Sequence, residues 1–229
     1  MKTVREMDRR GFPYGIRLTV TDESTDSLPE SIEFLCRQTA CKTFQVEPAF
    51  DHGRAQRNGT ALSNDYSFAA AFMEAYDIAA SSGRHLYYSG ARPWVVTPCF
   101  CQALDKALIV APDGLVTSCY EIYSSEHRLA ENFFFGSLSE KGKLVVNSEV
   151  RKTLRAKIEE RRIFCRDCFC YWHCAGDCPS KTLTPGKDGH LRFGRRCDLN
   201  RRITGELLAH YISDAGGVWH GHSNFISEC

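Results

Sequence analysis

Residues 165–178 read CRDCFCYWHCAGDC: Cys165 and Cys168 are two residues apart, Cys174 follows after five more, and Cys178 after three. Thiols this close leave little room for regular structure. As thiolates they repel one another unless a metal or a cluster neutralises them. Further along lies Cys197. Upstream, Cys101 is separated by twelve residues from Gly114, and Gly114 by four residues from Cys119. Of 12 cysteines only Cys36 and Cys41 precede residue 99, so a cysteine-poor half should be followed by a metal-rich half.

The compartment decides what such cysteines do. The N-terminus, MKTVREMDRRGFPYG, has no apolar core of a secretory signal. No apolar run approaches the ~20 residues of a membrane span. The cytoplasm is therefore the expected location, where dense cysteines bind metal or do chemistry more often than they form disulfides. Zinc and iron–sulfur centres both accept soft thiolates. A zinc ribbon uses two Cys-x2-Cys pairs, and only Cys165–Cys168 has that spacing. A net charge of +1 gives no field to attract nucleic acid or an anionic membrane.

The first half alternates strand and helix signals. Residues 15–21 (GIRLTVT), 43–48 (TFQVEP) and 84–88 (RHLYY) read as strands. Ser27, with Glu30 three residues on, predicts a capped helix over 28–38. AFDHGRAQRNGT reads as a loop. Ser63 or Asn64 is expected to cap a helix over 65–82, whose Phe68, Phe72, Ala75, Tyr76 and Ala79 recur at helical spacing as core residues, and Gly83 ends it. Strand–helix–strand order implies parallel βαβ units and an α/β class. Three strands do not close a (β/α)8 barrel, which takes about 250 residues. The open sheet edge is expected to meet a missing N-terminal segment or a complementing subunit.

The second half differs. Residues 106–111 and 115–119 predict a β-hairpin through Pro112-Asp113-Gly114, which brings Cys101 and Cys119 together at its open end. Residues 149–162 predict a basic amphipathic helix with solvated charges. A last helix is expected over 198–213, and a loose tail over 214–229.

Cys101, Gly114, Cys119, Cys165, Cys168, Cys174, Cys178 and Cys197 together resemble the signature of the SPASM domain. That domain ends many radical SAM enzymes that modify peptides and proteins. The segments RLTVTDES and QVEP are similar to later strands of the radical SAM partial barrel. The resemblance implies a partial radical SAM barrel over 1–95, formed by the last three βα units. It also implies a small α+β SPASM domain over 96–213 holding two auxiliary [4Fe–4S] clusters. Cys101, Cys119 and Cys178 would bind the first cluster, with Cys99 as candidate fourth ligand. Cys165, Cys168, Cys174 and Cys197 would bind the second.

Cys170 matches no ligand position. Cys36 and Cys41 are expected as core thiols, and Cys229 as a tail thiol. His173 is a candidate donor to cluster sulfur, though a structural role is favoured. His220 and His222 are weak metal candidates. Glu47, before Pro48 at a strand end, is a candidate cofactor-binding residue. Some sulfatase-maturing relatives carry a catalytic aspartate directly after the hairpin cysteine. Here Tyr120 stands in that place, leaving Glu121 as the candidate base.

The Cys-x3-Cys-x2-Cys triplet that holds the SAM-cleaving cluster is missing from the sequence. The chain is therefore expected to be the auxiliary-cluster portion of an enzyme and not to cleave SAM alone. SAM would bind only in a complete enzyme, and a flavodoxin or ferredoxin would donate electrons. A peptide or protein is the expected substrate. A non-catalytic electron carrier or scaffold is the alternative, with a zinc-binding interaction module behind it.

Overall fold

The computed structural model describes residues 1–51, 53–183 and 195–217. The chain is mixed α/β, with ten helices and two small sheets among those residues. The described residues divide into two units: 1–93 together with 199–217, and Trp94–Asp198.

In the first unit, β1 (Ile16–Val20), β2 (Thr43–Pro48) and β3 (His85–Tyr87) form a parallel sheet in the order β1-β2-β3. Leu18 stands opposite Val46, and Phe44 opposite Leu86. The crossovers carry α3 (Leu28–Gln38) and α5 (Asp65–Ser81), as the strand–helix alternation predicts. Phe44, Phe68, Phe72, Leu86 and Tyr88 are fully buried. The rings of Phe68 and Phe72 meet Tyr88 edge-on at centroid distances of 6.2 and 6.5 Å, the orientation that aromatic quadrupoles prefer. Asn64 caps α5, its Oδ1 accepting from the Tyr66 and Ser67 amides. Gly83 follows at φ +66°, a conformation that favours glycine.

Local details differ from expectation. Ser27 precedes α3 but does not cap it with its side chain; its hydroxyl donates to the Ser24 carbonyl. A short helix α2 (Asp22–Thr25) already occupies the turn before it, so Ser27 has φ −88° and ψ 2° rather than the extended backbone a side-chain cap needs. Residues Gly53–Asn58 form α4 where a loop was expected. Arg54, Ala55, Gln56 and Arg57 are good helix formers, and Gly59 at φ +62° ends the turn. A helix α1 (Lys2–Arg9), not expected from the sequence, carries a Glu6 paired with Arg9 and Arg10.

The second unit has an antiparallel sheet of β4 (Ile109–Val110), β5 (Leu115–Thr117), β6 (Phe134–Leu138) and β7 (Leu144–Val146), in that order. The hairpin β4–β5 turns where predicted, with Gly114 at φ +81° and Asp113 Oδ1 accepting from the Leu115 amide. Four helices accompany the sheet: α6 (Ala130–Phe133), α7 (Ser148–Cys165), α8 (Tyr171–Cys174) and α9 (Pro179–Thr182). Leu104, Ile122, Leu129, Phe133, Leu154, Ile158 and Leu183 form one apolar core.

The last helix, α10 (Arg195–Asp214), joins the first unit from Leu199 onward, whereas the resemblance grouped residues up to 213 with the cysteine-rich region. The reason is its apolar stripe. Leu199, Ile203 and Leu207 are buried at intervals of four. Tyr88 donates to Asn200 Oδ1 at 2.8 Å, and the Tyr76 and Tyr211 hydroxyls meet at 3.0 Å. Of the expected tail, residues 218–229, with His220, His222 and Cys229, lie outside the described residues. Among the described residues no helix is long and apolar enough to cross a membrane.

Candidate metal centre

The cysteine-rich loop begins on the last residue of α7. That helix buries Leu154, Ile158, Arg161 and Cys165, at spacings of four, three and four. Its apolar face therefore ends in a thiol. The chain then turns tightly: the Cys168 amide donates to the Cys165 carbonyl at 3.0 Å, and the Cys174 amide to the Cys170 carbonyl at 2.9 Å. After α8, Ala175, Gly176 and Asp177 take φ of 48°, 75° and 68°. Three successive left-handed residues, two of them not glycine, are strained and persist only when their surroundings hold them.

Two buried arginines hold them here. Arg196 grips Asp177 bidentately at 2.5 and 2.8 Å, and Asp177 Oδ1 also accepts from the Cys178 amide at 2.7 Å. Arg161 donates from Nε to the Gly176 carbonyl at 3.1 Å and from Nη1 to the Thr182 carbonyl at 3.0 Å. Its Nη2 reaches Cys197 Sγ at 3.6 Å, which ties the first turns of α10 to the loop. Arg161 is the exception to the solvated face expected of α7: it lies on the helix's buried side.

The thiols fall into two groups. Burial pushes the Cys174 thiol up to about 12, with Asp177 and the neighbouring Cys165 and Cys168 adding to the shift. Burial also raises Cys119, with Cys178 and Glu121 nearby contributing. Cys178 is raised by burial against a lowering hydrogen bond from Ser180. Cys174 is buried and Cys119 and Cys178 are half-buried, each beside other acidic groups, a place where a free thiolate is costly and a cation bound to sulfur is favourable. Cys101 and Cys119 pack against the same apolar core.

Among the described cysteines, Cys36, Cys41, Cys101, Cys119, Cys165, Cys168, Cys170, Cys174, Cys178 and Cys197 form no disulfide. Cys99 is disulfide-bonded, and in that state its sulfur has no thiolate to offer. Cys170 is buried within the loop, as is Cys41 in the first unit, where its thiol donates to the Thr43 carbonyl. Cys36 is half-buried. Among the described residues, no three His, Cys, Asp or Glu side chains converge as a ready-made site for one metal ion.

The remaining candidates have local partners. His173 Nδ1 donates to the Val95 carbonyl at 2.9 Å, a structural contact. Glu121 accepts from Ser180 Oγ at 2.7 Å and pairs with Lys181 at 3.1 Å, while the same Ser180 Oγ lies 3.1 Å from Cys178 Sγ. Glu47 is buried at the end of β2, accepting from Gln45 Nε2 and the Ser89 amide. Asp177, Arg196 and Arg161 escape a reading of cysteine spacing alone. The available signal was an arginine falling on the apolar face of α7.

No protein-family model matches the sequence, and none of the curated proteins compared with it matches either.

Proposed function

We propose that this chain is the auxiliary iron–sulfur-binding portion of a radical SAM enzyme of the SPASM type, acting on a peptide or protein. The observation that carries the proposal is the grouping of buried and half-buried thiols in two places of the second unit. Cys119 lies near Cys178, 59 residues further on, and Cys174 lies near Cys165 and Cys168. These are the partners that the SPASM resemblance assigns to separate clusters. The contact of Arg161 with Cys197 draws the fourth expected ligand of the second group to the same loop.

The donor chemistry fits iron–sulfur centres: soft sulfurs, buried or half-buried, with charged groups beside them. Cys165, Cys168, Cys174 and Cys197 would hold the second centre. Cys101, Cys119 and Cys178 would hold the first, with Cys99 joining only if its disulfide is reduced. Bound clusters would supply one-electron capacity and a Lewis-acidic anchor near the substrate. The three parallel strands β1–β3 support the partial-barrel reading of the first unit, and Glu47 at the end of β2 is the candidate cofactor contact of a complete enzyme. The triplet needed for SAM cleavage is missing from these residues, so that reaction requires another chain or segment carrying it.

Anaerobic purification followed by iron, sulfide and zinc analysis tests the proposal. Two [4Fe–4S] centres give about eight irons and eight sulfides per chain and a brown protein. A colourless protein that folds equally well without metal, or one holding zinc and no sulfide, overturns it. SAM cleavage restored by a chain carrying the triplet distinguishes an enzyme part from an electron carrier.

A further inference from the structure

We propose that Arg161 is the counter-charge of the second metal–thiolate centre and sets its reduction potential; the inference rests on the iron–sulfur reading above. Arg161 is only 4% exposed. Arg196, also buried, has a carboxylate clamped across it by two hydrogen bonds. No carboxylate pairs with Arg161 among the described residues. It binds two backbone carbonyls, neither of which carries a charge, and one sulfur, Cys197 Sγ.

A guanidinium does not lose its proton in a protein, so burial cannot neutralise it. A buried cation without an anion is strongly unfavourable. The one group it touches that becomes anionic is Cys197, and it does so on binding metal, because the ligand is the thiolate. The centre formed by four thiolates and iron–sulfide carries net negative charge. Arg161 then faces an anion with one N–H aimed at a ligand sulfur. Each one-electron reduction adds negative charge to the centre. A fixed cation in contact favours the reduced state, so the potential stands higher than it would beside a neutral side chain.

The test uses the full chain, loaded anaerobically, as wild type, Arg161→Gln and Arg161→Lys. Iron and sulfide are counted, and each centre is titrated with dithionite and redox mediators under EPR. Gln is expected to lower the midpoint of one centre and leave the other in place, with Lys restoring most of the shift. Full iron with an unmoved midpoint in Gln, or equal shifts of both centres, overturns the assignment. Urea unfolding of the metal-free and loaded chains separates charge from scaffolding in Arg161→Met. Both states lose the hydrogen bonds to Gly176 and Thr182, and the charge role predicts that this variant loses more stability when loaded than when metal-free. A purely structural role predicts equal loss in both states and overturns the proposal. Wild type that takes up no iron overturns the iron–sulfur reading itself, a result distinct from loaded wild type with an indifferent Arg161.

Discussion

The clamp between Arg196 and Asp177 is expected to dominate the stability of the cysteine-rich loop, and a double-mutant cycle measures how much. Both side chains are almost wholly buried, at 8% and 3% exposure, and the pair is bidentate. Removing one partner of a buried, hydrogen-bonded ion pair leaves an uncompensated charge and costs about 3–5 kcal/mol. Against a domain stability of about 5–15 kcal/mol, that is a large fraction. Arg196→Met and Asp177→Asn are each expected to lose an amount of this order. The double variant should lose less than the sum, with a coupling of about 2–3 kcal/mol, because it strands no charge. The assay is urea unfolding of the full chain in reductant, followed by tryptophan fluorescence, since Trp94 and Trp172 both lie in the second unit. Single variants costing under about 1 kcal/mol and adding without coupling would refute the view that this pair holds Ala175–Asp177 in their left-handed conformation.

Cys174→Ala is expected to lose roughly half of the bound iron, while Cys170→Ala keeps it all; equal losses by iron assay would contradict the ligand assignment. Gly90→Ala should destabilise the first unit by about 1–3 kcal/mol, because a Cβ there would stand 2.1 Å from Asn200 Oδ1 and 2.8 Å from a Tyr88 ring carbon. Calorimetry would show this as a lowered Tm, and an unchanged Tm would mean that the Tyr88–Asn200 contact is absent. Asn64→Ala removes the cap of α5 and is expected to cost about 1 kcal/mol by urea unfolding, with Asn64→Ser recovering most of it. Chelation of iron from the loaded protein should lower the unfolding midpoint of the second unit, because ligand binding free energy is part of folding; a midpoint indifferent to metal would argue that the thiols play no part in holding a metal.

What the amino-acid sequence determined by itself was local in cause. Short runs with apolar and β-branched residues placed β1, β2 and β3 within two residues of their observed bounds, since such preferences act over a few residues. Asn64 and Gly114 acted through backbone chemistry that needs no distant partner. The capping role expected of Ser27 failed because α2 had already taken the preceding turn. Strands β6 and β7 escaped notice because they exist through pairing with β5 and with each other. Tertiary structure alone decided which cysteines meet, that α10 joins the first unit from Leu199, and that Arg161 is buried against Cys197. Those outcomes depend on residues 15 to 135 positions apart finding one another; the apolar faces of α7 and α10 show in the sequence, but what each face packs against does not.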